Sequence, residues 1–184
     1  MIITITGPRS VGKSTISNLV AKKLKLNLVS SDQLGEDALK ELGGLDSAIK
    51  SGAIGKFIED SAYGLIRKEY MNDNFVFDLS GGSISSTKHS SASEKVREIA
   101  KAKSIIFGLL PFKEENSSID LLFNREKERV HFKEMNKEDL FEKVKKDFLK
   151  FPLIFEGFCD FTIYTENKTP KEIAGDILKK LKLL

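Results

Sequence analysis

The chain has 184 residues, 40% of them hydrophobic and 31% charged, which fits a single globular domain with a full core. Its 30 basic and 27 acidic residues leave a net charge of +3, too balanced to indicate nucleic acid as the main partner. One cysteine excludes a disulfide framework, and two distant histidines argue against a histidine metal site. Since no apolar stretch is long enough to span a membrane, we expect a cytoplasmic protein without a signal peptide or membrane contact. We also expect a monomer.

Strand and helix patterns alternate along the chain. Apolar runs predict five strands, at residues 1–6, 26–30, 75–79, 104–110 and 161–164. Helical spacing predicts helices at 15–24, 31–42, 53–71 and 94–102, within 111–123, at 137–149 and from Pro170 onward. The alternation predicts an α/β fold with a parallel sheet, in one domain spanning 1–184. Ligands of such sheets bind at the carboxyl ends of the strands.

Serine, glycine and proline mark the interruptions between these elements. Residues 80–93 are rich in serine and glycine and are predicted to form a loop, with Ser93 as the N-cap of the next helix. The helix at 137–149 is predicted to end before Pro152. The mixed charges of residues 143–150 are interpreted as a solvated helix face.

Residues 7–14 match G-x-x-x-x-G-K-[ST], the phosphate-binding P-loop, and the flanking strand and helix make the match specific. Glycine allows close approach of a phosphate, and successive N–H groups form a nest at a helix N-terminus. Lys13 would reach the β- and γ-phosphates of ATP, and the Ser14 hydroxyl would bind Mg²⁺. The residues predicted to contact the nucleotide here are Gly7, Arg9, Ser10, Val11, Gly12, Lys13, Ser14 and Thr15. The alternative is a glycine-rich turn with a lysine placed by chance.

The class of nucleotide-binding protein follows from what accompanies the loop. The chain lacks an N-K-x-D motif for reading a guanine base, which weighs against a GTPase. At this length, a small-molecule or nucleotide kinase is the leading class.

From residue 1 to the end, the chain resembles the shikimate kinase family, and the features that carry the resemblance occur in order. The P-loop comes first, and Val29-Ser30-Ser31-Asp32 follows where the family has an Asp-x-Asp pair. Residues 57–58 and 64–69 resemble a family helix with an Arg near a Glu, and residues 77–83 resemble a strand that ends in a triple-glycine turn. Residues 125–132 lie where the family has an Arg-bearing lid, residues 148–155 resemble an Arg-x-Pro-Leu-Tyr segment, and residues 160–178 resemble the last strand, adenine loop and helix.

The resemblance implies a three-layer α/β/α P-loop kinase fold with a five-stranded parallel sheet in the order 2-3-1-4-5. It implies an acceptor-binding region at about 31–72 and a lid at about 112–135. It also implies ATP-dependent, Mg²⁺-dependent phosphoryl transfer to a small-molecule acceptor, most specifically shikimate.

Residue roles follow from the same resemblance. Asp32 would bind the acceptor hydroxyl and act as its general base, and Arg67 would pair with the acceptor's carboxylate. Gly81 and Gly82 would let the acceptor and the γ-phosphate approach the backbone. The remaining predicted contacts are Arg125 and Arg129 closing over ATP, Lys168 in the adenine loop and Lys150 on the acceptor.

Each of these roles has a plainer alternative. Asp32 is also suited to the first turn of a helix, where the dipole favours a carboxylate. Arg67 also fits a solvated helix face. Arg125 and Arg129 lie in a charged stretch, where side chains four residues apart can stabilise a helix without any contact to a nucleotide. The glycine pair also fits an ordinary turn.

Three departures from the family lie on the acceptor side. Ser30 replaces the first aspartate of the pair, Ser83 replaces the third glycine, and Lys150 replaces an arginine. Asp78 ends an apolar strand, so we predict that it takes the Mg²⁺ role that Ser30 lacks. The departures keep other acceptors open: a nucleoside monophosphate, a sugar acid or dephospho-coenzyme A. A non-enzymatic nucleotide-binding module is a more distant alternative.

Overall fold

The computed structural model describes residues 1–40, 43–44, 51, 55, 61–129 and 135–183. Its centre is a five-stranded parallel sheet in the order β2-β3-β1-β4-β5, with helices on both faces. The predicted α/β/α fold and strand order are therefore confirmed. The strands are β1 (Ile2–Thr6), β2 (Asn27–Ser30), β3 (Phe75–Asp78), β4 (Ile105–Leu110) and β5 (Phe161–Tyr164).

Nine helices lie between and after these strands within the described residues. They are α1 (Lys13–Leu24), α2 (Ser31–Leu39), α3 (Tyr63–Glu69), α4 (Gly81–Ser85), α5 (Ser90–Lys103), α6 (Glu115–Glu126), α7 (Lys137–Phe148), α8 (Lys150–Phe158) and α9 (Pro170–Leu181).

The central strands are buried along their length because helices cover both faces of the sheet. Their register determines where the chain leaves the sheet. Ile5 of β1 pairs with Asp78 of β3, and Asp78 pairs in turn with Ser30 of β2. The carboxyl ends of these three strands therefore lie side by side, and the segments that follow them meet at one edge.

The prediction of a loop over residues 80–93 is wrong. The segment contains α4 and the first turn of α5, and the N-cap position of α5 is His89 rather than Ser93. Ser93 is instead buried on the same helix face as Val96 and Ala100. Burial of that face overrides the weak helix propensity of the serines, which the composition of the segment alone does not reveal.

The helix predicted at 137–149 is confirmed as α7, which ends at Phe148. The chain does not leave the helical conformation there, because α8 begins at Lys150 and contains Pro152 in its first turn. Proline is tolerated at that point because the first N–H groups of a helix have no partner within it. The sequence did not predict this second helix.

Other predicted elements lie partly outside the described residues. The helix predicted at 31–42 is observed to Leu39, and the one predicted at 53–71 is observed as α3. Phe57 and Ile58 lie outside, as do residues 130–134 of the predicted lid. Pro170 opens α9 as predicted, behind a capping box formed by Thr169 and Glu172.

Candidate active site

A cavity of about 960 Å³ opens where the chain leaves the carboxyl ends of β1, β2 and β3. Its walls combine the P-loop with parts of α2 to α8. Twelve of the residues predicted from the sequence line it: Arg9, Ser10, Gly12, Lys13, Ser14, Thr15, Asp32, Gly81, Gly82, Arg125, Arg129 and Lys150. The structure thus brings most of the predicted nucleotide and acceptor contacts together in one place.

Two glycines allow the backbone of the P-loop to pack closely against β4 and α4. A Cβ atom at Gly7 would lie 2.5 Å from the carbonyl oxygen of Leu109, and one at Gly81 would collide with the carbonyl oxygen of Gly7. Gly7 itself does not line the cavity among the described residues, and Val11 is buried beneath the loop. Gly81 therefore packs the loop against α4, whereas exposed Gly82 faces the cavity.

The backbone of the loop leads directly into α1. Gly12 is the N-cap residue of α1 with φ of 105°, a left-handed conformation that favours glycine. The first N–H groups of α1 have no partners within the helix, and the residues of this turn, Lys13, Ser14 and Thr15, line the cavity. This is the arrangement that binds phosphate at a helix N-terminus.

Lys13 lies among four charged side chains of the site. Loss of water around Lys13 lowers its pKa below the usual value, opposed by the negative charges of Asp78 and Asp32. The positive charges of Arg9 and Arg129 also lower the pKa of Lys13. The ammonium donates to the carbonyl oxygen of Pro8 at 3.3 Å. Both predicted aspartates are thus close enough to Lys13 to act on its charge.

Asp78 is buried at the end of β3, with 6% of its surface exposed. Burial raises its pKa, while a hydrogen bond from the Ser14 hydroxyl and the charge of Lys13 lower it; the net shift is upward. Its Oδ1 atom is buried without a hydrogen-bond partner among the described residues. A carboxylate oxygen that lacks a partner, beside the P-loop hydroxyl, fits Mg²⁺.

The described residues hold no cluster of three or more histidine, cysteine, aspartate or glutamate side chains able to bind a metal. That is compatible with Mg²⁺, which in kinases keeps several waters and uses few protein ligands besides the phosphates. Ser30 has a different role from the aspartate it replaces, because its side chain is the N-cap of α2 and accepts from Gln33 N at 3.5 Å.

Asp32 lies in the first turn of α2 and lines the cavity. This position is compatible with both sequence interpretations, since the helix dipole favours a carboxylate there and the residue also lines the cavity. Ser31, which the sequence analysis missed, connects this turn to the segment after β3. Its hydroxyl donates to the carbonyl of Asp78 at 3.3 Å and accepts from Ser80 N at 2.8 Å.

The end of α6 contacts the tip of the P-loop. Arg125 Nη1 donates to the carbonyl oxygen of Ser10 at 2.9 Å, and the Ser10 hydroxyl donates to Glu126 Oε1. Arg129 Nε lies 3.5 Å from the same Glu126 oxygen. Glu126 is buried and lines the cavity, yet its place among Arg125, Lys127 and Glu128 offered no sequence signal of that.

Two lysines, one on α7 and one on α8, share one carboxylate in the cavity wall. Lys143 and Lys150 each lie 2.9 Å from an oxygen of Asp147, and all three residues line the cavity. Burial raises the pKa of Asp147, but hydrogen bonds from the two lysines outweigh that effect and leave the pKa below its usual value. Lys143 and Asp147 are about half exposed, as the interpretation of a solvated helix face predicts, and they also line the cavity.

Besides Gly7, Val11 and Asp78, two further predicted site residues are absent from the described lining of the cavity, Arg67 and Lys168. Arg67 is exposed on α3 and is absent from the described lining, although Tyr63 and Ile66 of the same helix belong to it. Lys168 pairs with Asp176 at 3.0 Å and donates to the carbonyl of Tyr164 at 3.2 Å. The predicted roles of these two residues rest on the family resemblance alone.

Comparison with known proteins agrees with this geometry, although no protein-family profile matches the chain. Shikimate kinase from Corynebacterium glutamicum is 26% identical over 183 residues, which cover 99% of this chain and 97% of the relative. The resemblance to the shikimate kinase family is confirmed.

Solved structures with similar folds extend over nearly the whole chain. The crystal structure of shikimate kinase from Aquifex aeolicus matches 99% of this chain and 96% of its own, with a TM-score of 0.72 at 19% identity. Dephospho-CoA kinase from Campylobacter jejuni matches 98% and 96%, with a TM-score of 0.60 at 12% identity. Both likenesses show the fold of P-loop kinases. No helix in the described part of the chain is long and apolar enough to cross a membrane.

Proposed function

We propose that this chain transfers the γ-phosphate of ATP to a hydroxyl of a small, anionic acceptor, with shikimate as the leading candidate. One observation carries the proposal: a single cavity is lined by the P-loop and also by a carboxylate, Asp32, and a lysine pair, Lys143 and Lys150. A module that only bound a nucleotide would not need the second set of groups.

On the nucleotide side, the loop N–H groups and Lys13 bind and orient the phosphates. The Ser14 hydroxyl and the Asp78 carboxylate would hold Mg²⁺, which when bound neutralises charge on the phosphate oxygens. The unpartnered Oδ1 of Asp78, among the described residues, supports that assignment. Arg129 lies near Lys13 and is suited to stabilise charge on the transferring group.

On the acceptor side, Asp32 accepts the proton of the acceptor hydroxyl while the oxygen of that hydroxyl forms a bond to the γ-phosphorus. The bond from that phosphorus to the bridging oxygen of ADP breaks in the same displacement. Lys143 and Lys150 bind the acceptor's anionic group, which takes the place of Asp147 as their partner. Shikimate, with one carboxylate and several hydroxyls, meets both requirements.

A second candidate is transfer to a phosphate-bearing acceptor, such as dephospho-coenzyme A or a nucleoside monophosphate. The observation that favours it is the lysine pair itself, because two ammonium groups match the nearly double negative charge of a phosphate better than the single charge of a carboxylate. The exposed position of Arg67 points the same way. A sugar acid remains compatible with the same groups.

The test is ADP release by the full chain with Mg·ATP and each acceptor in turn: shikimate, gluconate, dephospho-coenzyme A and nucleoside monophosphates. We expect release to be stimulated strongly by one of them, and shikimate to be that one. Strong stimulation by a phosphate-bearing acceptor alone would replace shikimate with the second candidate. ATP binding without stimulation by any acceptor would contradict transfer and favour a nucleotide-binding module.

A further inference from the structure

We infer that Glu126 is a positioning residue that connects the tip of the P-loop to Arg129. One oxygen of its carboxylate, Oε1, accepts a hydrogen bond from the Ser10 hydroxyl and also pairs with the Arg129 guanidinium. It would therefore act on the nucleotide through two other residues. The inference rests on the proposed nucleotide site and goes beyond it by naming what holds that site in shape.

The first observation is the backbone of Ser10. Its φ is 63°, in the left-handed region that non-glycine residues seldom adopt and that costs free energy unless the surroundings stabilise it. Ser10 lies between Gly7 and Gly12, within the loop whose N–H groups bind phosphate. A change at Ser10 would therefore change the direction of those N–H groups.

The second observation is that α6 holds Ser10 at two points. Glu126 accepts from its hydroxyl, and Arg125 donates to its carbonyl oxygen at 2.9 Å. These contacts join segments that are more than 100 residues apart in the chain. The left-handed conformation of Ser10 is thus stabilised from outside the loop.

The third observation is the burial of the carboxylate. The side chain of Glu126 is 4% exposed, whereas that of Arg129 is 49% exposed. A carboxylate buried to that degree is costly unless it is paired, so simple support of the helix surface does not explain it. The pair instead keeps the guanidinium of Arg129 beside the phosphate end of the cavity.

The experiment measures Mg·ATP binding to the full chain by calorimetry, without an acceptor, for Glu126→Ala, Ser10→Ala and the double variant. We expect each single variant to weaken binding about fivefold, equivalent to about 1 kcal/mol and to one lost hydrogen bond. Because the two residues act through one contact, the double variant should bind about as weakly as Glu126→Ala. Glu128→Ala is the matched control, since Glu128 is exposed on the same segment and outside the described cavity lining.

Glu126→Gln separates the two connections, because its amide oxygen still accepts the Ser10 hydroxyl but carries no charge for Arg129. We expect it to bind Mg·ATP within about twofold of the wild type while kcat falls about tenfold, a split that a purely structural role would not produce. Thermal unfolding of every variant measures stability separately.

Unchanged ATP affinity in folded Glu126→Ala and Ser10→Ala would overturn the inference, as would tighter binding or additive effects in the double variant. If the wild type itself does not bind Mg·ATP, the proposed function and this inference both fail. If the wild type binds and the variants bind equally well, only the inference fails.

Discussion

The two ends of the cavity are built in different ways. The nucleotide end comes largely from one contiguous loop, in which Lys13 and Ser14 follow β1 within a few residues. The proposed acceptor end is assembled from α2, α4 and the consecutive pair α7 and α8, three parts that are far apart in the chain. In the proposed function, phosphate binding therefore depends on the conformation of one loop, whereas acceptor recognition depends on single side chains that can change one at a time. We expect substitutions at the second end to change the acceptor without loss of nucleotide binding.

The largest effect is expected at the loop. Lys13→Ala removes the P-loop cation that is predicted to reach the β- and γ-phosphates and should lower kcat/KM by about 10²- to 10³-fold. ADP release with the best acceptor measures it, and Lys23→Ala, an exposed lysine of α1, is the control. If Lys13→Ala kept activity within twofold of the wild type, the proposed role of the P-loop in phosphoryl transfer would be contradicted.

Asp78→Asn tests the metal part of the nucleotide end. The amide keeps the size of the side chain but lacks the charge that Mg²⁺ prefers, so the Mg²⁺ concentration for half-maximal activity should rise about tenfold. Exposed Asp73, just before β3, provides the control Asp73→Asn. An unchanged Mg²⁺ titration for Asp78→Asn would contradict the assignment.

At the acceptor end, Lys143→Ala and Lys150→Ala should each raise KM for the acceptor about tenfold, the effect of losing one hydrogen bond to a charged group. KM for ATP should not change, because neither lysine belongs to the loop. Steady-state kinetics with each substrate varied separately measure this, with Lys146→Ala on the exposed face of α7 as control. A parallel rise in KM for ATP would show that the two ends are not separable.

Arg67→Ala should have the smallest effect, because the side chain is exposed and outside the described cavity lining. We expect KM for the acceptor to stay within about twofold of the wild type, as for most surface substitutions. A tenfold rise in that KM alone would restore the acceptor role that the family resemblance implies.

The parts of this molecule that the sequence predicts are those governed by local pattern. The P-loop is one contiguous motif between a strand and a helix, and Asp78 ends a run of buried residues. The order of the strands follows from the family resemblance and is confirmed. For the P-loop and for Asp78, the neighbouring residues alone contain enough information to place the side chain at the end of its strand or loop.

The parts that the sequence misses depend on distant contacts. Glu126 and Lys143 lie in charged helical stretches, and the same residue types occur whether such a face meets solvent or a cavity. The serines before Val96 indicate a loop by propensity, but packing of the α5 face makes them helical. The predicted acceptor contact of Arg67 rests on the family resemblance, which gives the order of features along the chain and not the direction of a side chain.

The most direct test of the two-ended cavity is Asp32→Asn, assayed for Mg·ATP affinity and for acceptor-stimulated ADP release on the same preparation. Loss of the general base should lower kcat by about 10²-fold or more, while the dissociation constant for Mg·ATP stays within about twofold. Asp37→Asn, on the exposed part of the same helix, should change neither quantity. Full acceptor-stimulated release by Asp32→Asn, or equal loss of ATP binding and release, would contradict the account.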